Sequence, residues 1–158
     1  MFFKKNTEKI LQTKIGQDAI IEIGKLLAQI FYKNHEKLTL PERNIAYILE
    51  LERDVNNDGF DGYFHNIPGN FTKETLNALK IIGSKTFLKI FENAVNRFPD
   101  GIVPIDRFER QDILLKLLNK NGDYMDLWND LDKEFYKYEE DIYTLMIDYI
   151  KNNIKDFR

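Results

Sequence analysis

The chain has 158 residues, 43% of them hydrophobic and 31% charged, with a formal net charge of −3. A single domain of this length buries about two-thirds of its unfolded surface in one core. With no cysteine present, disulfides, thiolate metal sites and cysteine nucleophiles are excluded. No run approaches the roughly 20 apolar residues of a membrane span, and Met1 to Asn6 lack the apolar stretch of a signal peptide. A cytoplasmic location is expected.

Helical periodicity governs most of the chain. Ile20, Ile23, Leu27 and Ile30 recur at three-to-four spacing, and Phe31 widens the stripe. Pro41 suits the first turn of a second helix that turns Ile45, Ile48 and Leu49 inward. Thr72 starts a third helix, bearing Leu76, Leu79 and Ile82, which Gly83 ends. Ser84, the only serine, is expected to cap a fourth helix with Phe87, Leu88, Phe91, Val95 and Phe98 on its inner face.

Phe98-Pro99-Asp100-Gly101 reads as a turn. Asp106 is expected to cap the next helix, with Phe108, Ile113, Leu114, Leu117 and Leu118 inside, and Asn121-Gly122 breaks it. Leu127, Leu131, Phe135 and Tyr138 form another stripe, and Ile142, Leu145, Met146, Tyr149, Ile150 and Ile154 the last. The one candidate strand, residues 101–105, is short and carries Pro104. The expectation is a single all-α domain over residues 1–158, a bundle of about seven or eight helices.

Charge is unevenly placed. Residues 1–40 hold seven lysines against four acids, whereas residues 123–148 hold nine acids against Lys133 and Lys137. Such asymmetry suggests a charged partner, although solvated helix faces produce it too. On a single helix over residues 123–141, eight acids would lie along about 28 Å at about 1.5 Å per residue. That is half the linear charge density of duplex DNA, at one charge per ~1.7 Å. The candidate acidic face is Asp123, Asp126, Asp130, Glu134, Glu140 and Asp141. Asp123, Asp126 and Asp130 also suit the start of a helix, where the dipole favours acids.

The stretch "DVNNDGFDGYFH", residues 54–65, opens like a calcium-binding EF-hand loop, with Asp54, Asn56 and Asp58 at alternate positions and Gly59 sixth. It fails where coordination would be completed. The twelfth position is His65, a poor ligand for a hard cation, and Asp61 stands at the eighth, usually apolar, position. The bland reading is a turn after a helix ending near Val55. In it Gly59 adopts positive φ, Asp58 caps a short helix, and Phe60, Tyr63 and Phe64 enter the core.

"LERDVNNDGFDGYFHN" (51–66) resembles the Val-Asn-Asn-Gly-Gly-Phe-x-Gln-Tyr-Phe signature of a bacterial domain-of-unknown-function family named for DNA mimic protein nineteen. The signature falls on Asn56, Asn57, Gly59, Phe60, Tyr63 and Phe64. "LNALKIIG" (76–83), "NAVNRFP" (93–99) and "LDKEFYKYEEDIYTLMIDYIKNN" (131–153) are similar to further segments of that family, in the same order. The likeness covers about residues 44–156. Asp58 replaces the signature's first glycine and Gly62 its glutamine, so the calcium-like pattern arises from one change. The resemblance implies an all-α fold, a homodimer as a candidate assembly and no enzymatic activity. It suggests DNA mimicry through the family's name alone.

Other chemistry finds little support. Neither histidine, His35 or His65, stands three residues after a glutamate, and no His-Glu-x-x-His pattern occurs. Asp61 and His65 share a helix face, where a local hydrogen bond is the simplest reading. No glycine-rich phosphate loop is present, and the N-terminal lysines lack an accompanying array of stacking aromatics. No catalytic residue, metal ligand or cofactor is therefore expected, nor any direct contact with nucleic acid or membrane. The reading is a protein-binding module, an acidic DNA-mimic-like protein for a basic or DNA-binding partner. The alternatives are a neutralising protein of the toxin-immunity type, and a metal-dependent enzyme or metal-binding protein using the Asp54–His65 region.

Overall fold

The computed structural model describes residues 2–121 and 127–158. It is an all-α bundle with eight α-helices and no strand among the described residues. In chain order these are α1 (Phe2–Thr13), α2 (Gly16–Asn34), α3 (Leu40–His65), α4 (Thr72–Ile81), α5 (Thr86–Val95), α6 (Arg107–Asn121), α7 (Asn129–Phe135) and α8 (Ile142–Asn152). Short 3-10 turns at His35–Lys37, Ile67–Phe71, Pro99–Gly101 and Ile154–Asp156 join or end them.

Helix α3 is the axis of the bundle, packing against α2, α4, α6, α7 and α8. Its start is well defined. The Thr39 hydroxyl accepts from the Glu42 N–H, and the Glu42 carboxylate accepts from the Thr39 N–H at 2.7 Å, with Pro41 in the first turn. This reciprocal cap satisfies two otherwise orphaned donors. The second Glu42 oxygen takes the N–H of Arg158 at 2.8 Å, so the buried glutamate also ties down the C-terminus.

Near its far end α3 breaks. Asp58 (φ −137°, ψ 15°) and Gly59 (φ 69°, ψ −172°) leave the helical region, and the chain resumes as a helix through Phe60 to His65. The break re-aims Phe60, Tyr63 and Phe64 into the core, where all three are fully buried. Phe64 meets Phe98 and Trp128 at centroid distances of 4.8 and 5.1 Å, and Phe60 meets Phe135 edge-on at 5.7 Å. The Trp128 indole N–H is satisfied by the Ala94 carbonyl at 3.1 Å. Each such ring contributes about 1.5–3 kcal/mol by leaving water.

Helix α6 docks differently from its hydrophobic pattern. Phe108, expected inside, is exposed, while Arg110 is fully buried. The Arg110 guanidinium donates to the carbonyls of Phe64, Asn66, Pro104 and Ile105 and to Asn70 Oδ1. A cation suits the Phe64 and Asn66 carbonyls because they lie at the end of α3, the negative pole of its dipole. Gly69 makes room for it: a Cβ there would lie 2.8 Å from Arg110 Nε and 2.9 Å from the Tyr63 carbonyl oxygen. Seating this arginine rotates α6 and turns Phe108 outward.

Candidate functional site

The family-like signature and the acidic segment meet where α7 packs on the break in α3. The carboxylate that serves the restarted helix is not Asp58 but Asp132 of α7, whose Oδ1 accepts from the Phe60 N–H at 2.9 Å. A side chain at Gly59 would collide with that carboxylate. The glycine is therefore required twice, by its positive φ and by the close approach of Asp132. Burial raises the Asp132 pKa above the ordinary aspartate value, and the Phe60 N–H only partly offsets this.

Among the other signature residues, Asn56 holds the joint and Tyr63 ties α3 to α4. Asn56 donates to the Glu52 carbonyl at 2.8 Å and to the Tyr138 hydroxyl at 2.6 Å. The Tyr63 hydroxyl lies 3.2 Å from that of Thr75. Asn57 stands exposed at the rim. Tyr136 donates to the Val55 carbonyl at 2.8 Å, adding a further link between the 136–141 turn and α3.

The ligands that a metal reading would need are engaged elsewhere. Asp54 is buried and accepts from Arg53 at 2.8 Å and from Asn66 at 3.3 Å. His65 Nδ1 lies 3.3 Å from an Asp61 carboxylate oxygen, a contact that raises the imidazole pKa. Among the described residues, no group of three His, Asp or Glu side chains is placed to hold a metal ion.

The six acids of the candidate face do not form one row. Asp123 and Asp126 lie outside the described residues. The rest are divided by a turn, since α7 ends at Phe135 and α8 begins at Ile142. Asp130 is exposed and receives two parallel bonds from Arg97, at 2.8 and 2.6 Å, which lower its pKa. Glu134 lines a cleft with Lys85, Lys89 and Lys137.

Glu140 accepts from the Ser84 hydroxyl and from the N–H groups of Lys85 and Thr86 at 2.7 and 3.3 Å. It thus caps α5 from a distance, in the place expected for Ser84. Burial disfavours its charge, yet these donors hold its carboxyl below the ordinary glutamate value. Asp141 caps α8 through Thr144 N–H at 3.0 Å, and the Thr144 hydroxyl and N–H keep its pKa low.

A different acidic concavity emerges. Asp58, Asp61 and Asp132 line a cleft of about 260 Å³ with Asn57, Asn129 and Tyr136, and its lining contains no lysine or arginine. In the sequence Asp58 reads as a calcium-loop position or a helix cap and Asp61 as a calcium-loop position or a partner of His65, and neither as part of an acidic face. Their meeting with α7 depends on a contact across some seventy residues of sequence, which no local pattern carries.

None of the described helices is long and apolar enough to cross a membrane. No curated protein and no solved structure matches the chain. The family model described as DMP19-like protein matches residues 36–153, a span that includes the α3 cap, the break at Gly59 and the acidic segment. The chain belongs to the DMP19-like protein family.

Proposed function

We propose that this protein is a non-enzymatic binding module that presents carboxylates to a basic partner, in the manner of a DNA mimic engaging a DNA-binding protein. One observation carries the reading. The packing of α7 on the break in α3 gathers Asp58, Asp61 and Asp132 around one cleft with no cation in its lining. Asp123 and Asp126 precede α7 in the chain, whereas Asp130 is already paired with Arg97. Glu140 and Asp141 cap α5 and α8 and are not in the lining of this cleft. Asp132 keeps one oxygen on the Phe60 N–H, so Asp58 and Asp61 are the carboxylates the cleft presents most freely. Membership of the DMP19-like family favours a DNA-binding protein over other basic partners.

The test is affinity capture from a lysate of the source cells, at low and at near-physiological salt. Wild-type protein is compared with Asp58→Lys/Asp61→Lys and with Asp123→Lys/Asp126→Lys. Exposed charges act over a screening length of about 8 Å at physiological salt, so the contact must weaken as salt rises. The reading expects a basic protein that wild type retains and the first variant loses, with helicity unchanged. Identical capture by all three proteins would contradict it.

A further inference from the structure

A groove of about 330 Å³ lies between α2 and α3. Ile20, Ile21 and Ala28 of α2 and Leu49 of α3 give it apolar walls, and Gly24 opens it. A Cβ at Gly24 would lie 3.0 Å from Leu49 Cδ1, so the glycine keeps bulk out of the groove. Two carboxylates border this apolar floor. At about 100° per residue, Glu50 and Glu52 fall on either side of the Leu49–Arg53–Asn56 row of α3. Glu50 is only 6% exposed, yet it lines the groove. Its close contacts, from the Tyr32 hydroxyl and from Arg53 at 2.7 Å, both fall on Oε2. Its Oε1 accepts no hydrogen bond among the described residues. Glu52 repeats the pattern. The hydroxyls of Tyr138, at 2.9 Å, and of Tyr143 both donate to its Oε1 and leave Oε2 open. Burial pushes the Glu50 carboxyl above the ordinary glutamate value, and Tyr32 and Arg53 offset this only in part. A further cation beside it would favour the charged form.

We propose that this groove binds a short aliphatic diamine, with its methylenes on the apolar floor and one ammonium on each carboxylate. Charge decides the occupant. Arg53, the cation on Glu50, is shared with Asp54, whose Oδ1 accepts from it at 2.8 and 3.1 Å. Glu50, Glu52 and Asp54 against this one guanidinium leave two negative charges, the complement of a dication. Lys25, at the rim, is already paired with Glu22 at 2.7 Å. An uncharged hydrocarbon would cover both open oxygens without pairing them, which costs free energy. An anionic head would face two carboxylates. The groove shares no lining residue with the acidic cleft, so either reading can fail alone.

Isothermal titration calorimetry with putrescine and cadaverine at constant ionic strength tests it, with n-butylamine and magnesium chloride as controls. Wild type is expected to bind a diamine about tenfold or more tightly than n-butylamine, the worth of one charge-assisted hydrogen bond. The methyl NMR signals of Ile20, Ile21 and Leu49 should shift as the diamine binds. Glu52→Gln keeps an acceptor for the two tyrosines and should bring the diamine down to the affinity of the monoamine, with circular dichroism unchanged. Ala28→Leu, which fills the groove, should abolish binding of both amines. A wild type that gives neither heat nor methyl shifts in millimolar diamine overturns the proposal. So does binding that magnesium matches, or that Glu52→Gln leaves intact, since either result means diffuse charge attraction alone.

Discussion

The carboxylate of Asp132 sits 2.9 Å from the N–H of Phe60, so one helix supplies the cap for another at the point where α3 breaks. A side-chain cap contributes about 0.5–2 kcal/mol. Asp132→Ala is expected to reduce stability by an amount in that range. Asp132→Asn keeps an acceptor oxygen and should cost less. Urea denaturation separates these outcomes, with an unchanged slope showing that the folded state has stayed compact. Equal losses for both variants would mean that the amide cannot reproduce the contact.

Phe64 tests the core that the break creates. It is fully buried and touches Tyr63, Phe91, Phe98 and Trp128. Phe64→Ala should cost roughly 3–5 kcal/mol, as other large-to-small core changes do. A loss below about 1 kcal/mol, in a protein with unchanged circular dichroism, would place the ring outside the core.

The local chemistry of this region was readable, and its tertiary partners were not. Asn57-Asp58-Gly59 ahead of three aromatics announces a positive φ and a buried face, and both are present. Nothing near Gly59 announces that a carboxylate will arrive from residue 132. Glu140 likewise reads as a surface charge, because an acid that caps α5 from the far side of a turn looks the same in sequence as a solvated one. The reading of α6 failed for a related reason. Hydrophobic periodicity assumes that apolar groups decide which face is buried, but here hydrogen bonds from Arg110 to four carbonyls decide it.

Glu140 gives the structure an acid sensitivity with a defined sign. Its donors depress its folded pKa below the reference value of 4.5. The stabilisation is therefore present above the unfolded pKa and is lost as pH falls through the folded value. Thermal melts from pH 7 down to pH 3 should show destabilisation concentrated below about 4.5. Glu140→Gln should be less stable at neutral pH and show a shallower acid dependence. A parallel pH profile in the variant would remove Glu140 as a contributor.

Calcium should leave the protein unchanged. Asp54 is already committed to Arg53 and Asn66, and His65 occupies the position where calcium needs a bidentate carboxylate. A ligand selective for the folded state must raise the melting temperature. No rise is expected in millimolar calcium, and a rise of several degrees that Asp54→Ala abolishes would restore the EF-like reading.

The central claim is that carboxylates around the break in α3 occupy a partner's DNA-binding surface. Its most direct measurement is competition between this protein and duplex DNA for the captured partner. The partner is immobilised, and retention of the wild-type protein is followed as DNA is added at constant ionic strength. Because DNA presents one charge per about 1.7 Å, it must displace any ligand that uses the same basic surface. The account predicts that DNA releases the wild-type protein and that Asp58→Lys/Asp61→Lys fails to bind at the outset. Retention that DNA leaves untouched, or undiminished binding of the charge-reversed protein, would contradict it.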